Sequence, residues 1–231
     1  MKQYLKIALL VLATTFLVWL PFYLRLPELP GWGLRFGDGM PAVWRNFDGP
    51  FYIIVSKTWY NKEAVRQAFS VPVPLEYYPA HLPFYPALIA LFDVIFNGPN
   101  AMLFATLVGS VLSFWMFFKY LSDFKLSKNP FWLTVVLLFI PARLLIARSI
   151  GAPETWFIFF ILASLYAYWV AHRNGSIALH ALAGVLLGAA FLVKESAVLF
   201  LPLPFVFPLI AGRYAGWRAG ALAWSAAFLA A

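Results

Sequence analysis

Long apolar stretches alternate with short polar segments along most of the chain, and the first of these stretches occupies residues 5–24. The other apolar stretches lie at 100–118, 130–147, 155–171, 177–193, 196–211 and 217–231. A helix of about 20 apolar residues crosses the hydrocarbon core of a bilayer. The pattern therefore predicts an all-α, polytopic membrane protein with a single membrane domain over residues 1–231.

The segment 25–98 interrupts this pattern because it is rich in charged residues, proline, tryptophan and tyrosine. We interpret it as a long loop that carries two interfacial helices, near 50–61 and 82–96. Phe51, Ile54 and Val55 give the first of these an apolar side at helical spacing. The second is shorter than an ordinary membrane span, which favours a re-entrant or surface helix over a crossing one.

The orientation follows from the positions of the basic residues, which are expected at the cytoplasmic ends of membrane spans. If 82–96 does not cross the membrane, then Lys119, Lys125, Lys128 and Arg173 all lie in the cytoplasm. If it does cross, the three lysines lie outside. The rule therefore favours about seven spans, with the long first loop on the extracytoplasmic side.

Composition agrees with a membrane protein and excludes several functional classes. Hydrophobic residues make up 63% of the chain and charged residues only 11%. The net charge of +8 reflects the cytoplasmic ends of the spans, so we expect membrane lipids and not nucleic acid as partners. The chain has no cysteine, which excludes a thiol nucleophile, a disulfide and a thiolate metal site. It also lacks the glycine-rich loops that bind nucleotides.

The C-terminal stretch, 217–231, stops without a polar flank. A membrane helix normally continues into a polar segment that lies in water or in the headgroup region. We therefore expect the chain to be a truncated form of a longer protein.

In this topology, most charged residues away from the cytoplasmic ends fall on the extracytoplasmic side. Ionisable residues at membrane depth are energetically costly and usually line a polar cavity. We therefore expect a polar site at the outer mouth of the bundle, with Asp48 facing Arg148, Glu154 and Lys194 across it. The candidate site residues are Arg45, Asp48, Glu76, Tyr77, Tyr78, His81, Arg143, Arg148, Glu154, Lys194 and Glu195.

Each candidate also has a purely structural interpretation. Asp48 precedes Gly-Pro and would serve as the cap of a helix. Glu154 would interact with a helix dipole, and Arg143 would extend to the outer membrane surface. Adjacent Lys194 and Glu195 would form an interfacial anchor. Tyrosine and histidine side chains in "EYYPAHLPFYP" would belong to an aromatic belt at the interface.

Four short motifs carry a resemblance to a known group of enzymes. They are "NFDGPFYIIVSKTWY", "YYPAHLPFYPALI", "SIGAPETWFIFF" and "LVKESAVLFLPL". In this order they resemble the GT-C superfamily of polytopic glycosyltransferases. Within it, the chain is most similar to the mannosyltransferases that add the second mannose of glycosylphosphatidylinositol anchors, and to their prokaryotic relatives. Phe47 stands where tryptophan is common in that family, and Lys194 where arginine is common.

The resemblance implies a fold, a reaction and roles for the candidates. The fold would be a module of about seven spans whose long first loop contains juxtamembrane helices. The enzyme would transfer a hexose, mannose by preference, from a polyprenyl phosphate to a lipid-linked, glycan or protein acceptor, with inversion. Asp48 would be the catalytic base, and Arg148 and Lys194, supported by Arg143 and Arg45, would bind the phosphate.

The remaining roles concern the substrate and its surroundings. By the resemblance, Glu154 would orient the acceptor or help to hold a metal, and His81 and Tyr78 would line the sugar pocket. No cofactor is implied with certainty; a divalent metal stays open, although no ligand spacing supports one. The implied location is the plasma membrane of a prokaryote, with the site facing outward.

Two other functions stay open at this stage. A lipid or solute transporter also needs charged residues within the membrane, but it would place them near the midplane and show internal repeats. A non-catalytic membrane subunit would use Asp48 only as a helix cap. The chain shows no repeat, and its charged residues cluster at the outer ends of the spans.

Overall fold

The computed structural model describes residues 1–28, 35–70, 73–206 and 217–231 of the protein. Within these ranges every regular element is a helix, as the apolar pattern predicts. The α-helices are α1 (Lys2–Tyr23), α2 (Met40–Trp44), α3 (Gly49–Thr58), α4 (Lys62–Ala68), α5 (Phe84–Phe92), α6 (Gly98–Asp123), α7 (Pro130–Leu137), α8 (Ala142–Ala147), α9 (Glu154–Asn174), α10 (Ile177–Phe191) and α11 (Trp217–Ala230). Two 3-10 helices, Leu75–Ala80 and Glu195–Phe200, complete the described elements.

Three of the described helices, α1, α6 and α9, are long and apolar enough to cross a membrane. Local signals set their limits. The Asn97 side chain accepts a hydrogen bond from the backbone N–H of Asn100 and so caps α6. Gly175 ends α9 in the left-handed conformation, with φ of +64°, and the Ser176 side chain then caps α10. The chain is therefore an all-α membrane protein.

The structure divides the predicted span 130–147 into two helices. α7 ends at Leu137, and α8 begins only at Ala142. Pro141 lies at the break, where it has no backbone N–H to continue the helical hydrogen bonds. A single continuous helix over this run is therefore wrong.

Two other predicted segments differ in extent. The interfacial run 82–96 forms only α5, whose nine residues rise about 14 Å, less than half of the hydrocarbon core. The predicted span 196–211 starts as the 3-10 helix Glu195–Phe200 and continues as an apolar segment to Val206. Its last residues, 207–211, lie outside the described part of the chain.

The core is built around α6 and α9, which pack against each other and against α5 and α10. Small residues allow the closest approach. A side chain at Gly184 on α10 would overlap the backbone of Trp224 on α11, and one at Gly109 on α6 would overlap Trp156 on α9. The four-residue glycine spacing in α10 is therefore a packing feature.

α1 attaches to the bundle chiefly through α6 and through the segment after α8. Trp115 of α6 donates a hydrogen bond from its indole N–H to the carbonyl of Tyr4, at 2.7 Å. Trp19 of α1 donates in the same way to the carbonyl of Ser149, at 2.6 Å. These contacts hold α1 beside the turn that follows α8, and this turn forms part of the site described next.

Candidate active site

Three helices begin at the same place in the fold, and each brings a carboxylate with it. Asp48 directly precedes α3, Glu154 is the first residue of α9, and Glu195 is the first residue of the 3-10 helix Glu195–Phe200. Helix N-termini carry partial positive charge, which stabilises nearby anions. The arrangement therefore suits both the carboxylates and an anionic ligand.

These carboxylates line one cavity of about 380 Å³, within the range of ordinary ligand pockets. Its charged lining side chains are Asp48, Arg143, Glu154, Lys194 and Glu195. The rest of the lining consists of Phe47, Tyr52, Ala80, Ile146, Ala147, Ile150, Gly151, Ala152, Pro153 and Val193. Five of the residues singled out from the sequence thus meet in one pocket of mixed charge.

The Asp48 carboxylate does not cap α3 by a side-chain hydrogen bond. Its Oδ1 accepts a hydrogen bond from the Tyr77 hydroxyl at 3.4 Å, and the side chain is otherwise directed to the cavity lining. A Cβ at the next residue, Gly49, would lie 2.7 Å from the carbonyl oxygen of Trp44. Glycine is therefore required there for α2 and α3 to approach, and this approach fixes the position of Asp48.

Glu154 and Lys194 form an ion pair across the cavity wall. The Lys194 ammonium donates to Glu154 Oε1 at 3.3 Å, and both side chains are about one-third to two-fifths exposed. The second oxygen, Oε2, is buried and has no hydrogen-bond partner. Arg143 lines the same cavity, is exposed, and forms no ion pair with any residue that the structure describes.

Tyr52 is one of two aromatic residues in the lining, four residues after Asp48 and on the same side of α3. Its ring packs edge-on against His81 and Tyr85, with ring centroids 4.8 and 5.0 Å apart. Burial raises the pKa of the Tyr52 hydroxyl, and the carboxylates of Glu154, Asp48 and Glu195 raise it further. Tyr52 is therefore a neutral hydrogen-bond donor among three acidic groups.

Six predicted site residues do not line the cavity, and five of them come from the loop 25–98. Tyr77 and His81 lie directly behind it, since Tyr77 holds Asp48 and the buried His81 ring supports Tyr52. Tyr78 is buried in a separate apolar cluster with Ile54, Val55 and Val65. Arg45 is exposed at the end of α2, and the exposed Glu76 pairs with Lys62 at 3.0 Å.

Arg148 is the clearest departure from the expected site. Its side chain is completely buried and turned towards α1, where the guanidinium donates to the hydroxyls of Thr15 and Thr14 at 2.6 and 2.9 Å. It also reaches the carbonyl of Leu138 at 3.4 Å. The expectation that Arg148 faces Asp48 is therefore wrong: the arginine joins α1 to the segment after α7.

Sequence reasoning missed the two aromatic residues that line the cavity, Tyr52 and Phe47. The spacing of four between Asp48 and Tyr52 in a predicted helix was a signal for the first. Phe47 is 70% exposed and has a left-handed backbone with φ of +47°, which is costly for a bulky residue. No sequence signal predicts that conformation.

Within the described residues, no group of three or more histidine, cysteine, aspartate and glutamate side chains is arranged to hold a metal ion. Asp48, Glu154 and Glu195 share the cavity, but they come from three separate segments. Among the charged side chains that line the cavity, Glu154 and Lys194 form an ion pair and neutralise each other.

Comparison with known proteins identifies the family. The model of the dolichyl-phosphate-mannose-protein mannosyltransferases matches residues 77–225, which is more than half of the chain. The chain belongs to this family. No curated protein and no solved structure matches it significantly.

Membership of the dolichyl-phosphate-mannose-protein mannosyltransferase family confirms the expected glycosyltransferase type and the GT-C superfamily. The finer resemblance, to the enzymes that add the second mannose of glycosylphosphatidylinositol anchors, stays a prediction. The matched range includes Arg143, Glu154, Lys194 and Glu195, whereas Asp48 precedes it. The role of Asp48 therefore depends on its place in the cavity.

Proposed function

We propose that the protein transfers a mannosyl or another hexosyl group from a polyprenyl phosphate to an acceptor hydroxyl, with inversion, at the extracytoplasmic face of a membrane. The acceptor would be a lipid-linked, glycan or protein hydroxyl. The observation that carries the proposal is the single cavity that holds Asp48, Glu154 and Glu195 together with Lys194 and Arg143. Family membership supports the class of donor.

Asp48 is the proposed general base. As the acceptor oxygen forms its bond to the anomeric carbon, Asp48 takes the hydroxyl proton, and the bond between that carbon and the phosphate oxygen breaks. The electron pair of the broken bond stays on the polyprenyl phosphate. A positioned base of this kind contributes roughly 10²- to 10⁴-fold to the rate. The absence of a side-chain capping bond leaves the Asp48 carboxylate available for this role.

Lys194 and Arg143 are the proposed phosphate ligands. The phosphate gains negative charge as the sugar leaves, so fixed cations near it stabilise the transition state more than the ground state. Lys194 is already paired with Glu154, and the donor phosphate would replace that carboxylate. The released Glu154, whose second oxygen has no partner, would then accept a hydrogen bond from a second, non-reacting hydroxyl of the acceptor and so orient it.

The test is a transfer assay on the full chain, with a polyprenyl phosphate carrying radiolabelled mannose and native membranes as the source of acceptors. The wild type should release unlabelled polyprenyl phosphate and label a lipid, glycan or protein fraction. We expect Asp48→Asn to lower the rate by about 10²- to 10⁴-fold with little loss of donor binding. Arg45→Gln, which changes an exposed charge three residues away, is the matched control and should retain most of the activity.

Other outcomes contradict specific parts of the proposal. Full activity of Asp48→Asn would remove Asp48 as the base. Movement of the intact donor across the membrane without transfer would favour a transporter. A second assay with a chelator tests whether a divalent metal takes part, and the mechanism described here predicts no change in rate.

A further inference from the structure

The Tyr52 hydroxyl is unusual among the tyrosines that surround the cavity. The Tyr85 hydroxyl bonds to Thr106 at 2.6 Å, the Tyr60 hydroxyl donates to the carbonyl of His81 at 2.7 Å, and the Tyr77 hydroxyl donates to Asp48. Tyr52 forms no hydrogen bond with any residue that the structure describes, although its side chain lines the cavity. Its polar end is therefore free to bind whatever occupies the cavity.

The ring of Tyr52 is held firmly while its hydroxyl stays unpaired. His81 and Tyr85 pack against the ring edge-on, and both are almost completely buried. Tyr85 is in turn bonded to the hydroxyl of Thr106 on α6. A donor fixed in this way loses little conformational entropy when it binds a ligand.

The charges around Tyr52 indicate which part of a donor it would meet. Its hydroxyl lies near the carboxylates of Glu154, Asp48 and Glu195, whose charges all act on it. An anionic phosphate is disfavoured beside three carboxylates, and it is favoured near Lys194 and Arg143. The neutral sugar, whose hydroxyls both donate and accept hydrogen bonds, suits the position of Tyr52.

We propose that Tyr52 contacts the transferred sugar directly and that its hydroxyl donates a hydrogen bond to one sugar hydroxyl. Tyr52 would thereby hold the anomeric carbon next to Asp48, which precedes it by one turn of α3. This assignment rests on the proposed function, because it requires a sugar donor in the cavity.

The experiment measures binding of a short-chain polyprenyl phosphate mannose, and of its four monodeoxy analogues, to the full chain in lipid nanodiscs. We expect Tyr52→Phe to bind the parent donor about tenfold more weakly than the wild type. For one deoxy analogue, the one that lacks the contacted hydroxyl, wild type and Tyr52→Phe should bind equally. The other three analogues should keep the tenfold difference.

Tyr85→Phe is the matched control, because it removes a neighbouring hydroxyl that is already hydrogen-bonded within the protein, to Thr106. It should lower the melting temperature while leaving the ranking of the deoxy analogues unchanged. This ranking is the readout that a merely structural role of Tyr52 would not alter.

Three results would overturn the inference. Equal binding of the parent donor by wild type and Tyr52→Phe would show that the hydroxyl makes no contact. A tenfold loss that persists with all four analogues would assign Tyr52 to the phosphate or to packing. Failure of the wild type to bind any polyprenyl phosphate sugar would instead contradict the proposed function, and this inference with it.

Discussion

At the scale of single residues, the proposed binding of the donor phosphate at Lys194 makes Glu154 a competitor of the donor. Glu154→Gln removes the charge that competes with the phosphate for Lys194. A partly exposed ion pair is worth about 0.2–1 kcal/mol, so we expect the donor to bind roughly 1.4-fold to fivefold more tightly. The measurement is the dissociation constant of a polyprenyl phosphate mannose.

Glu195→Gln is the matched control for that change, because Glu195 lines the same cavity without an ion pair to any described residue. It removes the same charge from the cavity but leaves Lys194 bound to Glu154. Its effect on donor binding should therefore be smaller. An equal or larger gain from Glu195→Gln would contradict the exchange of partners at Lys194.

His81 gives the site a dependence of stability on pH. Burial lowers the pKa of His81 below that of an unfolded chain, and the nearby Asp48 carboxylate only partly offsets this. The His81 ring packs against the rings of Tyr52 and Tyr77, and its Nδ1 has no hydrogen-bond partner. The backbone carbonyl of His81 accepts a hydrogen bond from the Tyr60 hydroxyl. The folded protein therefore favours the neutral ring.

The sign of the effect follows from this difference in pKa. Below about pH 6.5 the unfolded chain takes up a proton that the folded protein excludes, so stability falls as the pH falls towards the folded pKa of His81. Above that pH, His81 does not contribute to the change of stability with pH. Melting temperatures measured between about pH 8 and pH 5 should fall less in His81→Gln than in the wild type. Asp48→Asn should make the melting temperature fall more steeply with falling pH, because it removes the carboxylate that raises the pKa of His81. If the melting temperature of His81→Gln depended on pH as strongly as that of the wild type, His81 would be excluded as the cause.

Single residues also show what the sequence can and cannot predict about the site. Asp48, Glu154 and Lys194 were predictable because a charge in an apolar chain needs a polar environment. Arg148 met the same criterion, but its guanidinium is bound by two threonine hydroxyls of α1. Threonine is common in apolar helices, so its presence in α1 did not indicate a binding partner for a buried arginine. Tyr52 was hidden among the many aromatic residues of the chain.

At the scale of helices, Arg148 connects α1 to the rest of the bundle. We expect Arg148→Ala to lower stability by about 2–4 kcal/mol, because it removes charge-assisted hydrogen bonds to Thr14 and Thr15 and leaves a cavity. Thermal unfolding in detergent measures the change. Arg143→Ala is the control, since the exposed Arg143 should affect donor binding without affecting stability.

The opposite pattern would restore Arg148 to the phosphate site. If Arg148→Ala kept the wild-type melting temperature but lost donor binding, the arginine would have to reach the cavity in the working protein. A loss of stability with retained donor binding would support the role of Arg148 in joining the helices.

The helices themselves were predictable to different degrees. The limits of α1, α6 and α9 follow from apolar length and from capping residues such as Asn97 and Gly175. The break between α7 and α8 was also predictable, because Pro141 disfavours a continuous helix there. The close approach of α2 and α3 at Gly49 was not predictable from the sequence, because it depends on contacts between separate helices.

At the scale of the whole molecule, the cavity bears on the path of the chain through the membrane. Asp48 and Glu154 line one pocket, so they must lie on the same side of the membrane. Between them, α6 is long enough to cross the membrane and the segment that contains α7 and α8 must return the chain, whereas a further crossing at 82–96 would place the two carboxylates on opposite sides. The cavity thus supports a surface position for α5.

This topology can be tested directly because the chain contains no cysteine. We expect a membrane-impermeant maleimide to label Asn46→Cys from the extracytoplasmic side and Asn174→Cys only from the cytoplasmic side. Both residues are exposed. The cysteine-free wild type is the control, and labelling of both variants from the same side would contradict this topology.

One hydroxyl of the central helix touches both sides of the pocket. Thr106 on α6 bonds to Tyr85, which supports Tyr52, and it also accepts from the backbone N–H of Ala152, at 3.3 Å, in the turn before Glu154. Thr106 therefore connects the residue that supports Tyr52 to the turn before Glu154, although it does not itself line the cavity. If the transferred sugar occupies this cavity as proposed, we expect a variant that accepts a bulkier sugar to need a change at this buried position, in addition to changes at the pocket surface.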